Sequence, residues 1–436
     1  MIDTKHRKEA NMKPKYTHHS RNLALATLIA CFAIAVLIPF TLQAAEKKFE
    51  APPKLRASDI LPEKLLKSPN YQVDEKVIND GFLNHYHVTS PFGDFDVISN
   101  ATMHKLAREI DTIAEMAKVK TSDVYIKAVG DSASNTLAGI KSLFTDPEKS
   151  VKGAATGISS LFSRTKESVL KSDPSETEDS KAKQAIGFSK AKREVAFKYK
   201  VDVYSTNKVL QEHLDSLAWA DYLGGLSLAA VTAPIGGAAG LVLTSSGAVR
   251  LLNEVIATTP PAELRLQNRN KLLDMSINSD LIHLFINNQH FSHRQQTYLV
   301  AALEKMTKAK NREFSLQVAL QVEDHNVATT VTLMTAMFAA YSVKITPIER
   351  FYPVARFMYG LDENGKTVLQ IPVDYITWNQ RLANGIGSIQ KRGKKGSELW
   401  LLGTVSDRAR IELKKAGWKV NTRVATKLGV DGKKLK

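Results

Sequence analysis

The sequence predicts a mainly α protein with a β-hairpin near the N-terminus and a small C-terminal α/β domain of βαβ type. Three observations lead there. Apolar residues recur at helical spacing through most of 207–345. Two short stretches, 84–89 and 94–98, alternate apolar and polar residues around Ser90-Pro91-Phe92-Gly93. Beyond Val343, strand-like and helix-like segments take turns, as in parallel strands joined by crossover helices.

The first segment, 1–44, is an address. Six Lys/Arg and two Asp/Glu in 1–22 precede the apolar run LALATLIACFAIAVLIPFTL at 23–42, and Gln43-Ala44-Ala45 follows it. A basic leader, an apolar core and a small-residue exit make a secretory signal peptide, with cleavage after Ala44. Roughly 20 apolar residues also reach across a bilayer, so an uncleaved anchor is the alternative. The flanks do not separate the two, because 45–64 carries five Lys/Arg of its own. Leu28-Ile29-Ala30-Cys31 spells a lipoprotein acylation box. Thirteen mostly apolar residues separate Cys31 from the end of this segment, so Cys31 reads as part of the apolar core rather than a lipidation site. It is the only cysteine, which excludes disulfides and thiolate metal sites from a cleaved chain. The expected location is exported: periplasmic or membrane-associated in a bacterial-type envelope.

Residues 45–70, with Pro52-Pro53 and scattered Lys, read as a linker. Residues 71–127 hold the hairpin and an amphipathic helix over 101–117. That helix is marked by Met103, Leu106, Ile110, Ile113, Ala114 and Ala117, with Ser99 or Asn100 to cap it. Residues 128–170 are a duplicated segment, and 171–190 a polar, proline-broken linker. Residues 191–342 form a helical domain with two unusually apolar stretches. Leu223–Leu243 contains five glycines and Pro234, and fits a tightly packed soluble helical pair; a re-entrant or spanning hairpin, with the Gly236-xxx-Gly240 step allowing close helix approach, is the alternative. Ala328–Tyr341 is too short to span a membrane. Residues 343–436 make the α/β domain. Strands are expected at 351–359 and 367–374 around Asp362-Glu363-Asn364-Gly365, then a helix near 376–390 and a strand at 398–403. A helix at 406–416, between Ser406/Asp407 and Gly417, and a strand at 419–424 complete it.

The duplication sets GIKSLFTDPEKSV at 139–151 against GISSLFSRTKESV at 157–169, seven of thirteen positions identical at a spacing of 18. Eighteen residues make about five whole helical turns, so both copies present the same face. Pro147 and Gly153 divide the segment into two short helices. Its apolar stripe is Ile140, Leu143, Phe144, Ile158, Leu161 and Phe162, beside Lys141, Lys149, Lys152, Arg164 and Lys166. Such a stripe suits the membrane interface, with the basic residues on anionic head groups; a helical hairpin packed on the body is the alternative.

The formal net charge is +16. Removing 1–44 leaves 54 Lys/Arg and 42 Asp/Glu, a net +12, and 391–436 alone carries fourteen Lys/Arg against four Asp/Glu. In an exported chain that excess points to anionic lipid, with a protein partner compatible and nucleic acid not expected.

Motifs for chemistry fail on context. Gly360-Leu-Asp-Glu-Asn-Gly365-Lys366-Thr367 matches the phosphate-binding loop letter for letter, but it opens a β run rather than a helix, and Asn364-Gly365 favours a hairpin. No nucleotide and no cofactor is expected. In the N-terminal hairpin, His87 faces Asp96 and Thr89 faces Asp94 across the strands. A His–Asp pair can act as a general base, so His87 and Asp96 are the candidate catalytic residues, though no serine or cysteine is placed beside them. His290 and His293 share a helical face and are the candidate metal pair; His283 lies roughly 10 Å along the axis, too far for the same ion. No carboxylate completes the set, so no metal is expected. Gly225-Leu-Ser227-Leu-Ala229 lacks the strand a nucleophile elbow needs, and Gly385-Ile-Gly387 lacks its third glycine. The reading is an envelope protein with a structural or interaction role, contacting anionic lipid through the duplicated segment and the basic C-terminal domain. The alternatives are a hydrolase using His87 and Asp96, or a helical binding protein with a pocket at the glycine-rich segment.

Overall fold

The computed structural model describes residues 48–120, 122, 125, 178–222, 247–389 and 395–430. The chain divides into Met1–Lys48 and Phe49–Lys436, and all described elements belong to the second unit. The signal or anchor segment with Cys31, the duplicated segment 139–169 and the glycine-rich stretch Leu223–Leu243 lie outside the described residues, as do the last six residues.

Residues 54–68, expected as linker, instead fold. They supply β1 (Lys54–Arg56), α1 (Ala57–Ile60), α2 (Glu63–Leu66) and β2 (Lys67–Ser68). With β3 (Tyr71–Val73), β4 (Lys76–Asn79), β5 (Asn84–Thr89) and β6 (Phe95–Ile98) they build a six-stranded antiparallel sheet. The central strand is β5. Along one edge it pairs β6 in the register Tyr86↔Val97 and His87↔Asp96. The other edge is shared by β4 through Asn79↔Asn84 and by β3 through Val73↔Val88. Burial alternates along β5, with Asn84, Tyr86 and Val88 inward and His85 and His87 outward, as a strand covered on one face requires. The cover is α3 (Asn100–Lys120), whose Met103, Leu106, Ala107 and Ile110 close on Tyr71, Val77, Tyr86 and Val97. Further along, Ile113 and Met116 of α3 pack with Val195 and Tyr199 of α4 (Glu178–Lys198) and Leu210, Leu214 and Leu217 of α5 (Lys208–Tyr222).

Six helices follow: α6 (Gly247–Thr258), α7 (Pro261–Asp274), α8 (Ser279–Ile286), α9 (His293–Glu304), α10 (Phe314–Ala319) and α11 (His325–Lys344). On length and apolar character α11 is able to cross a membrane, contrary to the short span expected. Here it is a core helix, with Met334, Met337, Phe338 and Tyr341 all buried. They meet Phe351, Met358, Val368 and Trp400 of a second sheet, so the helical region and the C-terminal region share one core across residue 343.

That second sheet has the order β13-β11-β9-β8-β7. Its strands are β7 (Ile348–Val354), β8 (Phe357–Asp362), β9 (Thr367–Ile371), β11 (Ser397–Leu401) and β13 (Trp418–Asn421); β10 (Tyr375–Ile376) and β12 (Thr404–Val405) pair beside it. What reads as one strand over 351–359 is two, turning at Ala355 with a φ of +47°. β7, β8 and β9 are antiparallel, and β9, β11 and β13 are parallel. The far face carries α12 (Gln380–Ser388) and α13 (Asp407–Lys415) on Leu369, Leu399 and Leu401. A four-residue helix, α14 (Ala425–Leu428), ends the described chain. Both faces are covered, so all of β11 is buried.

The mainly α expectation is therefore wrong. Helix makes up about half and strand 19%, in two multi-stranded sheets. The hairpin belongs to a six-stranded sheet whose other members are two to four residues long, too short to show alternation in the sequence.

Candidate functional site

A cavity of about 870 Å³ opens between α3, α4, α6, α9 and α11. Each helix offers it a face at helical spacing. On α3 these residues are Ala101, Lys105 and Arg108, opposite the stripe that packs on the first sheet. On α4 they are Arg193, Ala196 and Phe197, with Lys200 in the turn just beyond the helix. Asn253, Ile256 and Ala257 come from α6, Arg294 and Tyr298 from α9, and His325, Thr329 and Thr332 from α11.

The local sequence fixes these faces. α4 stops because Lys200 turns left-handed, with a φ of +55°. Val201 N–H then reaches Ala196 O at 3.0 Å and Lys200 N–H reaches Phe197 O at 3.1 Å, the Schellman closure of a helix end. Asp202 tightens the following turn by accepting from Tyr204 N–H at 3.0 Å. The first turn of α3 is held from a distance. The carboxylate of Asp374, in the loop after β9, accepts from Asn100 N–H at 3.1 Å and from Asn84 N–H at 2.9 Å. A negative group at a helix N-terminus is favourable on dipole grounds. Burial nevertheless raises the Asp374 pKa to about 6.

The cavity is cationic. Lys105, Arg108, Arg193, Lys198, Lys200 and Arg294 line it, against Glu109, Asp202 and Glu254. Two of the acids are occupied. Glu109 accepts from Ser205 Oγ at 2.7 Å and Asn207 Nδ2 at 3.2 Å. Lys105 lies 3.6 Å from Glu109 and 3.5 Å from Asp202. Enclosure works against the charge of Lys105, but these two carboxylates outweigh it and hold its pKa above the ordinary lysine value. Burial and the neighbouring Arg294 both push the Arg108 pKa down. Arg294 donates to neutral partners, Asn253 Oδ1 at 2.5 Å and Tyr298 Oη at 3.3 Å, and lies over the Tyr298 ring at 5.1 Å.

Arg193 stands apart. It is 6% exposed, and its Nε meets no acceptor. Among the described residues no hydrogen bond or ion pair satisfies its guanidinium. The hydroxyl of Tyr204, on the same wall, is also buried without a partner, and burial lifts its pKa to about 12. Buried polar groups are nearly always hydrogen-bonded, and a buried charge without a counter-charge costs several kcal/mol. Arg193 Nε and the Tyr204 hydroxyl are thus two buried donors left unsatisfied beside one cavity.

The residues singled out from sequence are scattered. His87 Nδ1 and Asp96 Oδ1 lie 2.8 Å apart on the outer face of the first sheet, in the expected cross-strand position. The hydrogen bond to Asp96 raises the His87 pKa, and neither a hydroxyl nor a thiol bonds to the ring among the described residues. His290 and His293 do not share a helical face: α8 ends at Ile286, and α9 begins at His293 behind its Ser292 cap. The His290 ring sits against His325, and the His293 ring against Tyr204. Among the described residues no group of three metal ligands occurs. The phosphate-loop match is a hairpin turn, with Gly365 at a φ of +77° and Lys366 N–H donating to Asp362 Oδ1 at 2.8 Å. The duplicated-segment residues, from Ile140 through Lys166, are outside the described residues.

The cavity itself was missed, and the sequence carried only half of its signal. Lys105 and Arg108 stand opposite the apolar face of α3, and Arg193 and Phe197 fall on one face of α4. Nothing local shows that these faces converge. Compared with protein-family models, curated proteins and solved structures, the chain has no match.

Proposed function

We propose that this is an envelope binding protein that holds an anionic ligand in the cavity between α3, α4, α6, α9 and α11. One observation carries the reading: Arg193 is buried in the cavity wall, and among the described residues its charge has no partner. A protein that only needed to fold would place an apolar residue there. A ligand acceptor turns that liability into affinity, because a guanidinium fork matches a carboxylate or phosphate bidentately. The apolar run at 23–42 supports an exported, membrane-associated setting for this binding, and the basic balance of the chain supports anionic lipid nearby. The hydrolase alternative loses ground, because His87 and Asp96 lie on an exposed strand face with no hydroxyl or thiol bonded to the ring.

The test is anion-dependent stability of the full chain. Phosphate, sulfate and citrate, each titrated at constant ionic strength, should raise the unfolding midpoint saturably. Replacing Arg193 and Arg294 together by Met should abolish the rise while leaving the circular dichroism spectrum unchanged. A rise of equal size in the double variant would show that the anions act elsewhere and would remove the proposal.

A further inference from the structure

The cavity is larger than an inorganic anion needs, and the lining between its cations is apolar. Ala196 and Phe197 of α4, Val201 beyond it, Ile256 and Ala257 of α6, and Leu333 of α11 contribute carbon to the same space. Phe197 is 51% exposed although it lines the cavity. An aromatic ring left open inside a concave site gains about 25 cal/mol for every Å² that a ligand covers. A cavity of about 870 Å³ falls in the upper part of the range that encloses organic ligands.

The charges narrow the ligand further. Lys105 is matched by Glu109 and Asp202. Arg193 and Arg294 have no carboxylate partner among the described residues. Two guanidinium groups without counter-charges suit one compact acidic head, and the apolar lining suits a hydrocarbon body attached to it. Resting on the anion-binding reading above, we infer that the ligand is an anionic amphiphile, a single carboxylate or phosphate head carrying an apolar chain. Arg193 and Arg294 take the head, with Tyr204 donating from the same wall, and Phe197, Ile256 and Ala257 cover the chain.

The experiment uses the full chain in nanodiscs of zwitterionic lipid, with empty nanodiscs subtracted for partition. Five probes separate the contributions: hexadecanoate, hexadecyl phosphate, hexadecanol, acetate and inorganic phosphate. One of the two charged long-chain probes should bind saturably. Hexadecanol should bind about tenfold to a hundredfold more weakly, since it lacks the charge-assisted hydrogen bonds, and the small anions should bind more weakly still. Comparing hexadecanoate with hexadecyl phosphate tells a fatty acid head from a phosphate head. Arg193→Met should weaken the charged probe about tenfold or more without changing hexadecanol. Arg193→Lys should fall between the two, because it keeps the charge and loses the fork. Phe197→Ser should weaken every long-chain probe.

If acetate or inorganic phosphate binds as tightly as its long-chain counterpart, anion binding stands and the amphiphile assignment falls. If hexadecanol equals the charged probes, the arginines do not read charge and both readings fall. Absence of saturable binding by all five probes likewise overturns both.

Discussion

Arg193→Met is the substitution that separates a binding residue from a structural one. Methionine keeps most of the packing of the arginine stem while deleting the guanidinium. Arg193 is 6% exposed, and among the described residues its Nε has no acceptor. A fully enclosed unpaired ion costs several kcal/mol, and water in the cavity reduces that figure. We take about 1–3 kcal/mol, the usual penalty for a buried polar group left unsatisfied. The variant should therefore be more stable than the parent by about 1–3 kcal/mol when no ligand is present. The assay is urea unfolding of the full chain in nanodiscs, followed by tryptophan fluorescence. Trp219, packed on Phe188 at 4.6 Å between ring centroids, reports on the junction of α4 and α5. Adding ligand at about a hundred times its dissociation constant should stabilise the parent by about 2.7 kcal/mol and the variant by much less, reversing the order. A variant less stable than the parent by more than about 1 kcal/mol without ligand would show that Arg193 supports the fold, and the argument from an unsatisfied charge would fail.

Three further outcomes follow from groups outside the cavity wall. Lys120 is 2% exposed and donates to Ser216 Oγ at 3.2 Å, and burial lowers its pKa to about 8. The unfolded chain holds that proton to higher pH than the folded one, so stability should climb as pH rises from about 8 towards 10, by up to about 3 kcal/mol. Lys120→Met should be more stable at neutral pH and should lose the climb, as read by denaturant titrations at several pH values. Asp374 titrates with the opposite consequence. Its folded pKa is raised to about 6, so its contribution is complete below about pH 4 and is lost as pH rises through 6, by about 3 kcal/mol; Asp374→Asn should flatten that interval. Gly403 packs against the same loop, and a Cβ there would sit 1.8 Å from Asp374 O, a backbone atom that cannot swing aside. Gly403→Ala should destabilise by about 3 kcal/mol or more, and a melting temperature equal to the parent's would contradict the packing described.

What could be read from the sequence, and what could not, divides along the range of the interactions. The turn at Ser90–Gly93, the face of α3 and the alternation of β9, α12, β11, α13 and β13 are each set within about twenty residues by spacing, caps and turn chemistry, and there expectation and structure agree in kind. The strands of 54–73 were illegible because two or three residues cannot display a period; they are strands only because β3 pairs with β5, β2 with β3 and β1 with β4. The division of 351–359 was hidden for another reason. Ala355, a residue with no special liking for positive φ, makes the turn, so the usual Gly or Asn signal was missing. The cavity is the extreme case. Arg108, Arg193 and Arg294 follow one another at intervals of 85 and 101 residues in the chain, and each alone looks like a cation on the wet side of a helix. Their meaning comes from α3 being fixed at its first turn by Asp374, some 270 residues away, and from α4 ending at Lys200, so that the two faces enclose the same space. A carboxylate beside Arg193 would have made an ordinary buried ion pair, and its absence among the described residues is the feature that the sequence could not display.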